Sequence, residues 1–281
     1  MSIKLDFLER NSFKLRNITK FHEGNYSLQA NDNLIQEVPV AISFNGVSYT
    51  TMMCTPTDLE EFAIGFSITE GIVERYSDIH DVEIYSSVEG ITADLSISNK
   101  CIYKLKEKKR SLAGTTGCGL CGTERLKGIL RVSEPVPSSA TVHIAELERV
   151  TQELEQHQLL SKTTGASHAA AYFSSNGRLL AIYEDVGRHI ALDKLAGWYV
   201  IHKPEPGGFI LVTSRASFEM VQKVAAIEVE SLIAISAATE LAVELAEQLN
   251  MTLIGFCRNG NATAYSHAER ISTQVRPLAL C

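Results

Sequence analysis

Apolar and polar residues alternate most clearly near the start of the chain, between residues 38 and 51. Every second residue from Val38 to Phe44 is apolar, and the alternation resumes at Val47 after the dipeptide Asn45-Gly46. Asn-Gly favours the tight turn with positive φ angles that joins two antiparallel strands. This pattern predicts a β-hairpin.

A helix is predicted directly after this hairpin. Apolar residues between Leu59 and Phe66 recur at the spacing of one buried helix face. Pro56 stands near the helix start, where its missing N–H costs little, and Gly71 is suited to end the helix.

The second half of the chain alternates between helix and strand patterns. An acidic amphipathic helix covers 141–157, and a second hairpin covers 168–183 with its turn at Asn176-Gly177. The following helix–strand pairs are 187–201 with 209–213, 217–229 with 231–235, and 239–249 with 251–256. Strands separated by helices pair in parallel through right-handed crossovers. The pattern predicts an α/β domain with a mixed sheet, in which the hairpin supplies the antiparallel edge.

These patterns divide the chain into three parts. Residues 1–33 are polar and weakly patterned and suggest an N-terminal arm. Residues 34–135 form a smaller α+β domain, which also contains strand-like segments at 81–86 and 91–105. Residues 136–281 form the α/β domain.

The predicted parallel strands end in three polar loops. In an open α/β sheet, ligands bind beyond the carboxyl ends of the strands, and here those ends carry 214–217, 236–239 and 258–261. The first two loops begin helices, whose N-termini favour anions. Ser217 and Thr239 also suit simple helix caps, but three such loops at one edge indicate a nucleotide or phosphorylated ligand.

Composition narrows the functional class. The 281 residues are 45% apolar and 21% charged, which is typical of globular proteins. A net charge of −7 argues against a general nucleic-acid or membrane-surface binder. The chain has no apolar run of 18 residues and no apolar leader segment at its N-terminus, so a cytoplasmic protein with reduced thiols is expected.

The most specific local feature is the segment Cys118-Gly119-Leu120-Cys121, which is flanked by further glycines. A basic run at 104–110 precedes it. Nearby cations lower the pKa of a thiol and raise the fraction of thiolate, the form that attacks sulfur or binds metal.

Four chemistries can use such a pair. A structural zinc site would need two more ligands, yet no second close cysteine pair exists. A zinc deaminase would need His-x-Glu ahead of the pair, whereas His168 lacks that glutamate and follows the pair, so deamination is set aside. Dithiol–disulfide exchange and sulfur relay through a cysteine persulfide both fit the spacing, which does not separate them.

Weaker candidates lie later in the chain. His168, just before a strand, suits the core as well as proton transfer. Asp185 and His189 belong to the segment 184–189, whose four ionisable side chains exceed what a helix cap needs. The single cysteines at 54, 101 and 257 are expected to be small core residues. The polar residues 219, 222 and 223 fit a solvated helix face.

Seven sequence blocks resemble the FdhD family, the formate dehydrogenase accessory sulfurtransferases. The blocks read TPTDLEEFAIGFSITEGI, LAGTTGCGLCG, TGASHAAA, EDVGRHIALDKL, SRASFEMVQK, SAATELAVELAEQL and GFCRNGNATAYSHAERI, and the resemblance as a whole extends from about Glu37 to Ile271.

The resemblance implies a cytoplasmic maturation factor. Such a factor takes sulfur from a cysteine desulfurase and passes it to the molybdenum or tungsten bis(molybdopterin guanine dinucleotide) cofactor, which is its acceptor substrate, before that cofactor enters formate dehydrogenase. The resemblance assigns sulfur transfer to Cys118 and Cys121, with Cys118 preferred as the persulfide carrier. It also implies a three-layer, cytidine-deaminase-like fold for the C-terminal domain, without deaminase activity.

The expected cofactor-binding residues combine the resemblance with the strand-end loops. They are Phe256, Cys257, Arg258, Asn259, Gly260 and Asn261, together with Ser214, Arg215 and Ser236. This chain has Ala166 where many relatives carry a cysteine, and Asn261 where relatives often have a basic residue nearby. A homodimer is also expected, and no resident metal, nucleic acid or membrane partner is.

Overall fold

The computed structural model describes residues 12–22, 25–105 and 134–273. The first of its sheets is a two-stranded antiparallel ribbon of β1 (Phe13–His22) and β2 (Asn25–Ile35). Most of the segment expected to be an arm is therefore a hairpin. Its pattern is weak because polar residues oppose one another along the ribbon, as in the pair of Arg16 and Asp32.

The second sheet has four strands in the order β4-β3-β6-β5. They are β3 (Val38–Phe44), β4 (Val47–Cys54), β5 (Ile79–Ser86) and β6 (Ile91–Ile97). The predicted turn between β3 and β4 is confirmed, with φ angles of 50° at Asn45 and 75° at Gly46. The strand prediction for 91–105 is wrong beyond Ile97, because residues 99–105 are helical.

Helix α1 (Leu59–Thr69) packs between this sheet and the C-terminal half of the chain. It begins three residues after Pro56, because Asp58 adopts a left-handed conformation just ahead of it. The two halves meet where α1 crosses a later helix, Arg188–His202, with glycines at the contact. A Cβ on Gly65 would lie 1.8 Å from the Asp193 carbonyl oxygen, and one on Gly197 would lie 2.0 Å from that of Glu61.

The largest sheet has six strands in the order β13-β12-β11-β10-β8-β9. A separate short sheet pairs β7 (Val142–His143), which precedes these six strands in the chain, with β14 (Ile271–Ser272), which follows them. The six strands are β8 (His168–Phe173), β9 (Leu179–Asp185), β10 (Phe209–Val212), β11 (Ser231–Ala234), β12 (Thr252–Arg258) and β13 (Asn261–Ser266). Strands β10, β11 and β12 are parallel, and the others pair antiparallel. The predicted α/β class with a mixed sheet is confirmed.

Helices cover both faces of this sheet. In chain order, they are α2 (Leu147–His157), α3 (Leu159–Thr164), α4 (Arg188–His202), α5 (Phe218–Ala225) and α6 (Glu240–Gln248). The core on one face includes α1, α4, α5 and α6, whereas α2 packs on the other face through Leu147, Val150 and Leu154. The likeness to cytidine deaminase and the three-part division stay predictions. No helix in the described residues is long and apolar enough to cross a membrane.

The sequence pattern misses β13. Residues 258–261, expected to be a loop, are the turn of a hairpin in which Arg258 pairs with Asn261. Asn259 and Gly260 have φ angles of 52° and 71°, as a tight two-residue turn requires. The segment is hard to recognise because β13 lies at the sheet edge, is mostly polar and has only one buried residue.

Candidate functional site

One edge of the six-stranded sheet collects most of the predicted site residues. The parallel strands β10, β11 and β12 end there, and the antiparallel strand β8 begins there. His168, the first residue of β8, lies opposite Asp185, the last residue of β9. The topology therefore places His168, Asp185, Ser214 and Ser236 along the same edge.

The strand-end loops are joined by backbone hydrogen bonds. The Ala216 N–H donates to the Ala237 carbonyl at 3.0 Å, and the Thr239 N–H donates to the Ala216 carbonyl at 3.0 Å. The Phe256 N–H donates to the Ser236 carbonyl at 2.9 Å. The loops after β10 and β11 and the end of β12 thus form one continuous surface.

Two histidines at this edge are biased toward the neutral form. Burial lowers the pKa of His168, and the nearby Arg188 charge lowers it further. Burial also lowers the pKa of His189, although its Nε2 lies 2.7 Å from Glu219 Oε2, which opposes that shift. A neutral imidazole can accept a proton near neutral pH.

Asp185 is occupied from within the protein. Its carboxylate is fully buried, lies 2.8 Å from Lys194 Nζ and accepts hydrogen bonds from the Thr55 and Gly187 N–H groups at 3.0 and 2.9 Å. These bonds connect the end of β4 to the turn between β9 and α4. Asp185 therefore connects the two halves of the chain through buried hydrogen bonds.

The neighbouring Glu184 caps a helix, but a different one from the helix that the sequence indicates. Its carboxylate accepts hydrogen bonds from the Leu160 and Ser161 N–H groups at the start of α3, and from the Ser167 hydroxyl. A cap of this kind satisfies donors that a helix leaves unpaired in its first turn. Two of the four ionisable residues in 184–189, Glu184 and Asp185, therefore have structural roles.

Lys223 corrects the prediction of a solvated helix face on α5. It is buried, and its Nζ donates to Asp193 Oδ1 at 2.8 Å, to the Thr69 hydroxyl at 3.0 Å and to Glu70 Oε1 at 3.1 Å. Burial opposes protonation, but these carboxylates raise the pKa of Lys223. Glu219 is exposed, as predicted, and binds His189.

The end of β12 has an irregular backbone beside the strand-end loops. Pairing between β12 and β13 shifts between Gly255 and Arg258, and Phe256 has a φ angle of 50°, which is rare for a residue with a side chain. Phe256 is 40% exposed, and the Arg258 guanidinium carbon lies 6.0 Å from the centroid of its ring. The bulge thus presents an aromatic ring and a cation at the surface.

Cys257 points the opposite way. Its side chain is 1% exposed and packs in the core beneath α2, where burial raises its pKa to about 11. Cys257 was predicted to bind the cofactor, but its thiol faces the protein interior.

A cavity of about 270 Å³ lies between the β12–β13 turn and α2. Arg258, Gly260 and Asn261 line one side, and Glu148 and Thr151 line the other. A larger cavity of about 410 Å³ lies between the start of β1, β9 and α3, and none of the predicted site residues lines it.

The predicted sulfur-transfer pair, Cys118 and Cys121, lies outside the described residues, as does most of the basic run. The cysteines at 54, 101 and 257 are free and buried, as predicted. No group of three or more His, Cys, Asp or Glu side chains within 12–22, 25–105 and 134–273 is arranged to hold a metal ion.

A family model, that of the FdhD/NarQ family, matches residues 35–272. The chain belongs to the FdhD/NarQ family. A curated FdhD/NarQ relative from Cupriavidus necator, named sulfur carrier protein FdhD, is 47% identical over 259 residues, which is 92% of this chain and 90% of the relative.

A solved structure has a similar fold. It is a crystal structure of a protein from Desulfotalea psychrophila assigned as a formate dehydrogenase accessory protein, with a TM-score of 0.73 and 22% identity. The similarity covers 93% of this FdhD/NarQ chain and 100% of the other.

Arg188 is one of the four ionisable residues of the segment 184–189, and its charge lies near His168. Thr55 and Glu148 also belong to this part of the molecule but are not indicated by the sequence. Thr55 and Glu148 carry no local signal, because each reaches its neighbours only through tertiary contacts.

Proposed function

We propose that this protein is a sulfur carrier for formate dehydrogenase. It accepts a persulfide sulfur from a cysteine desulfurase and passes it to the molybdenum or tungsten bis(molybdopterin guanine dinucleotide) cofactor, its acceptor substrate. The observation that carries the proposal is the 47% identity to a sulfur carrier protein across 92% of the chain. The proposal includes a cytoplasmic site of action and a homodimer.

Cys118 is the proposed carrier. Its thiolate attacks the terminal sulfur of the donor persulfide, the donor S–S bond breaks, and the donor cysteine leaves as a thiolate while Cys118 becomes the persulfide. Cys121 assists exchange or release. The basic residues before the pair favour the thiolate form.

The buried cysteines support this assignment. Burial raises the pKa of Cys54 and of Cys257, so neither thiol provides an accessible thiolate near neutral pH. Cys101 is likewise buried. The accessible sulfur chemistry is therefore assigned to the cysteines outside the described residues, of which Cys118 and Cys121 form the close pair.

The strand-end surface is the proposed docking site for the acceptor. Arg215 and Arg258 are exposed and suit phosphate, since guanidinium groups bind phosphate oxygens in a bidentate manner. Ser214, Ser236, Asn259, Gly260 and Asn261 supply hydroxyl, amide or backbone groups around them. His168 and His189 are the proposed groups for proton transfer at this edge, and Asp185 is retained only as the group that orients this segment.

Sulfur loading tests the carrier. The protein is incubated with a cysteine desulfurase and cysteine, and intact-mass measurement should show the gain of one sulfur, localised to the peptide with Cys118. Cys118→Ala should abolish the gain, whereas the matched control Cys257→Ala should retain it. Full loading of Cys118→Ala would refute the assigned carrier.

The same preparations separate the other chemistries. Catalytic reduction of model disulfides without a sulfur donor would favour a dithiol oxidoreductase. Stoichiometric zinc bound through Cys118 and Cys121 would favour a metal-binding module.

Nucleotide binding tests the docking surface. Arg258→Ala should weaken GDP binding by about 1.5–3 kcal/mol, as expected for loss of a charged hydrogen bond. An unchanged dissociation constant in a titration would remove Arg258 from the site.

A further inference from the structure

The cavity beside the β12–β13 turn contains one acidic side chain. Glu148 belongs to the first turn of α2, and its carboxylate lines the cavity opposite Gly260. A Cβ built on Gly260 would lie 3.7 Å from Glu148 Oε2, so this carboxylate oxygen lies directly across from the turn.

The Glu148 carboxylate has no partner within the described part of the chain. The nearby Arg149 instead contacts Glu146 and Glu153, at 3.8 and 3.0 Å. The Thr151 hydroxyl donates to the backbone carbonyl of Glu148 and leaves the carboxylate free. Glu148 is exposed at the cavity wall, and a carboxylate without a protein partner can accept two hydrogen bonds from a ligand.

The volume and the charge indicate which part of a ligand enters. About 270 Å³ is below the range typical of sites that enclose a whole drug-sized molecule, so the cavity suits one ring system of a larger ligand. A phosphate would be repelled by Glu148, whereas it would be attracted by Arg258 at the other side. The base end of a nucleotide therefore fits against Glu148, with its phosphates toward Arg258.

The hydrogen-bond pattern selects the base. Guanine presents two adjacent donors, N1–H and the 2-amino group, which match the two oxygens of a carboxylate. Adenine presents an acceptor at N1, which a carboxylate repels. We propose that Glu148 is the residue that selects guanine over other bases in the dinucleotide acceptor; this inference rests on the proposed function.

The test compares nucleoside diphosphates that differ only in the base. Glu148→Gln keeps the size of the side chain but places an amide donor where guanine also has donors. In calorimetric titrations, wild-type protein should bind GDP more tightly than IDP, which lacks the 2-amino group, and more tightly than ADP. Glu148→Gln should weaken GDP binding by about tenfold or more.

The same variant should improve binding of xanthosine diphosphate relative to GDP, because xanthine has an acceptor oxygen in place of the 2-amino group. Such an exchange of preference is not expected from a merely structural role. Glu155→Gln is the matched control, since Glu155 is exposed like Glu148 and lies two turns further along α2 but does not line the cavity. This control should leave both affinities unchanged.

The outcomes separate this inference from the proposed function. If wild-type protein binds GDP, but Glu148→Gln binds it equally well and with the same preference over xanthosine diphosphate, the role of Glu148 is refuted and the sulfur-carrier function is unaffected. If wild-type protein loads sulfur but binds no GDP, the docking surface and the role of Glu148 are both overturned. Sulfur loading of wild-type protein is measured in the same preparations, so that a loss of carrier function and a loss of base selection are distinguished.

Discussion

Charged residues occur both at the junction between α1, α4 and α5 and at the surface around the β12–β13 turn. The two regions differ in whether those charges are paired within the protein. At the junction, the buried Asp193 accepts hydrogen bonds from Lys223 and from the Thr69 hydroxyl, at 2.8 and 2.6 Å. At the turn, Arg258 and Glu148 form no ion pair with any residue that the structure describes. Charges enclosed within the fold are paired there, so the loss of one partner is costly, whereas charges left unpaired beside a cavity are available to a ligand.

The pair of Asp185 and Lys194 shows the first case most clearly. Both side chains are fully buried, 2.8 Å apart, and the Thr55 hydroxyl contacts both. Removing one partner would leave the other charge buried alone, which is far more costly than losing an exposed charge.

Lys194→Ala should therefore give the largest effect. We expect the free energy of unfolding to fall by about 3–5 kcal/mol, because the Asp185 charge loses its partner. Urea denaturation measures this change, with Arg258→Ala as the exposed control, expected within about 0.5 kcal/mol of wild type. Equal effects of the two substitutions would remove the distinction between the regions.

Gly65→Ala tests the close helix crossing at the junction. The added Cβ would lie 1.8 Å from the Asp193 carbonyl oxygen, so α1 and α4 must separate. We expect a loss of about 1–3 kcal/mol in the same denaturation measurement, despite the higher helix propensity of alanine. A more stable Gly65→Ala protein would contradict the observed crossing.

Phe256→Gly should affect the turn region in the opposite sense. Glycine adopts the positive φ angle of 50° without strain, so stability should stay equal or rise by about 1 kcal/mol. GDP binding should weaken several-fold, because Arg258 loses the ring beside it. A loss of stability with unchanged GDP affinity would instead place Phe256 among the structural residues.

The two edge histidines should give the smallest effect, a dependence of stability on pH. Because the folded-state pKa values of His168 and His189 are lowered, the unfolded state binds more protons as the pH falls through the ordinary histidine value of about 6.5. Their contribution to stability is thus present above that pH and is lost below it.

Urea midpoints between pH 7.5 and 5.5 measure this contribution. His168→Asn combined with His189→Asn should flatten the decline, whereas the exposed control His80→Asn should not. An unchanged decline in the double variant would exclude these histidines as its source.

Much of the fold could be predicted because it depends on local pattern. The Asn45-Gly46 and Asn176-Gly177 turns and the helix–strand alternation after residue 187 follow from side-chain periodicity and turn chemistry. The ribbon of β1 and β2 and the edge strand β13 were not recognisable, since their sequences lack a clear apolar face.

The site could be predicted only in part. Family blocks indicate the segment 256–261, but they do not show that the Cys257 thiol points into the core. They also do not show that Asp185 is fully enclosed by Thr55 and Lys194, residues that are 130 and 9 positions away in the chain.

By itself, the sequence determined the α/β class, the positions of the main turns and the family, because these depend on periodicity and on ordered motifs. Only the tertiary structure decided which charges are paired and which face a cavity. Lys223 and Glu148 are both charged residues on amphipathic helices, and the sequence predicts neither to be buried. Lys223 is nevertheless buried against Asp193, whereas Glu148 lines an open cavity. That difference arises from packing between distant segments, which no local pattern encodes.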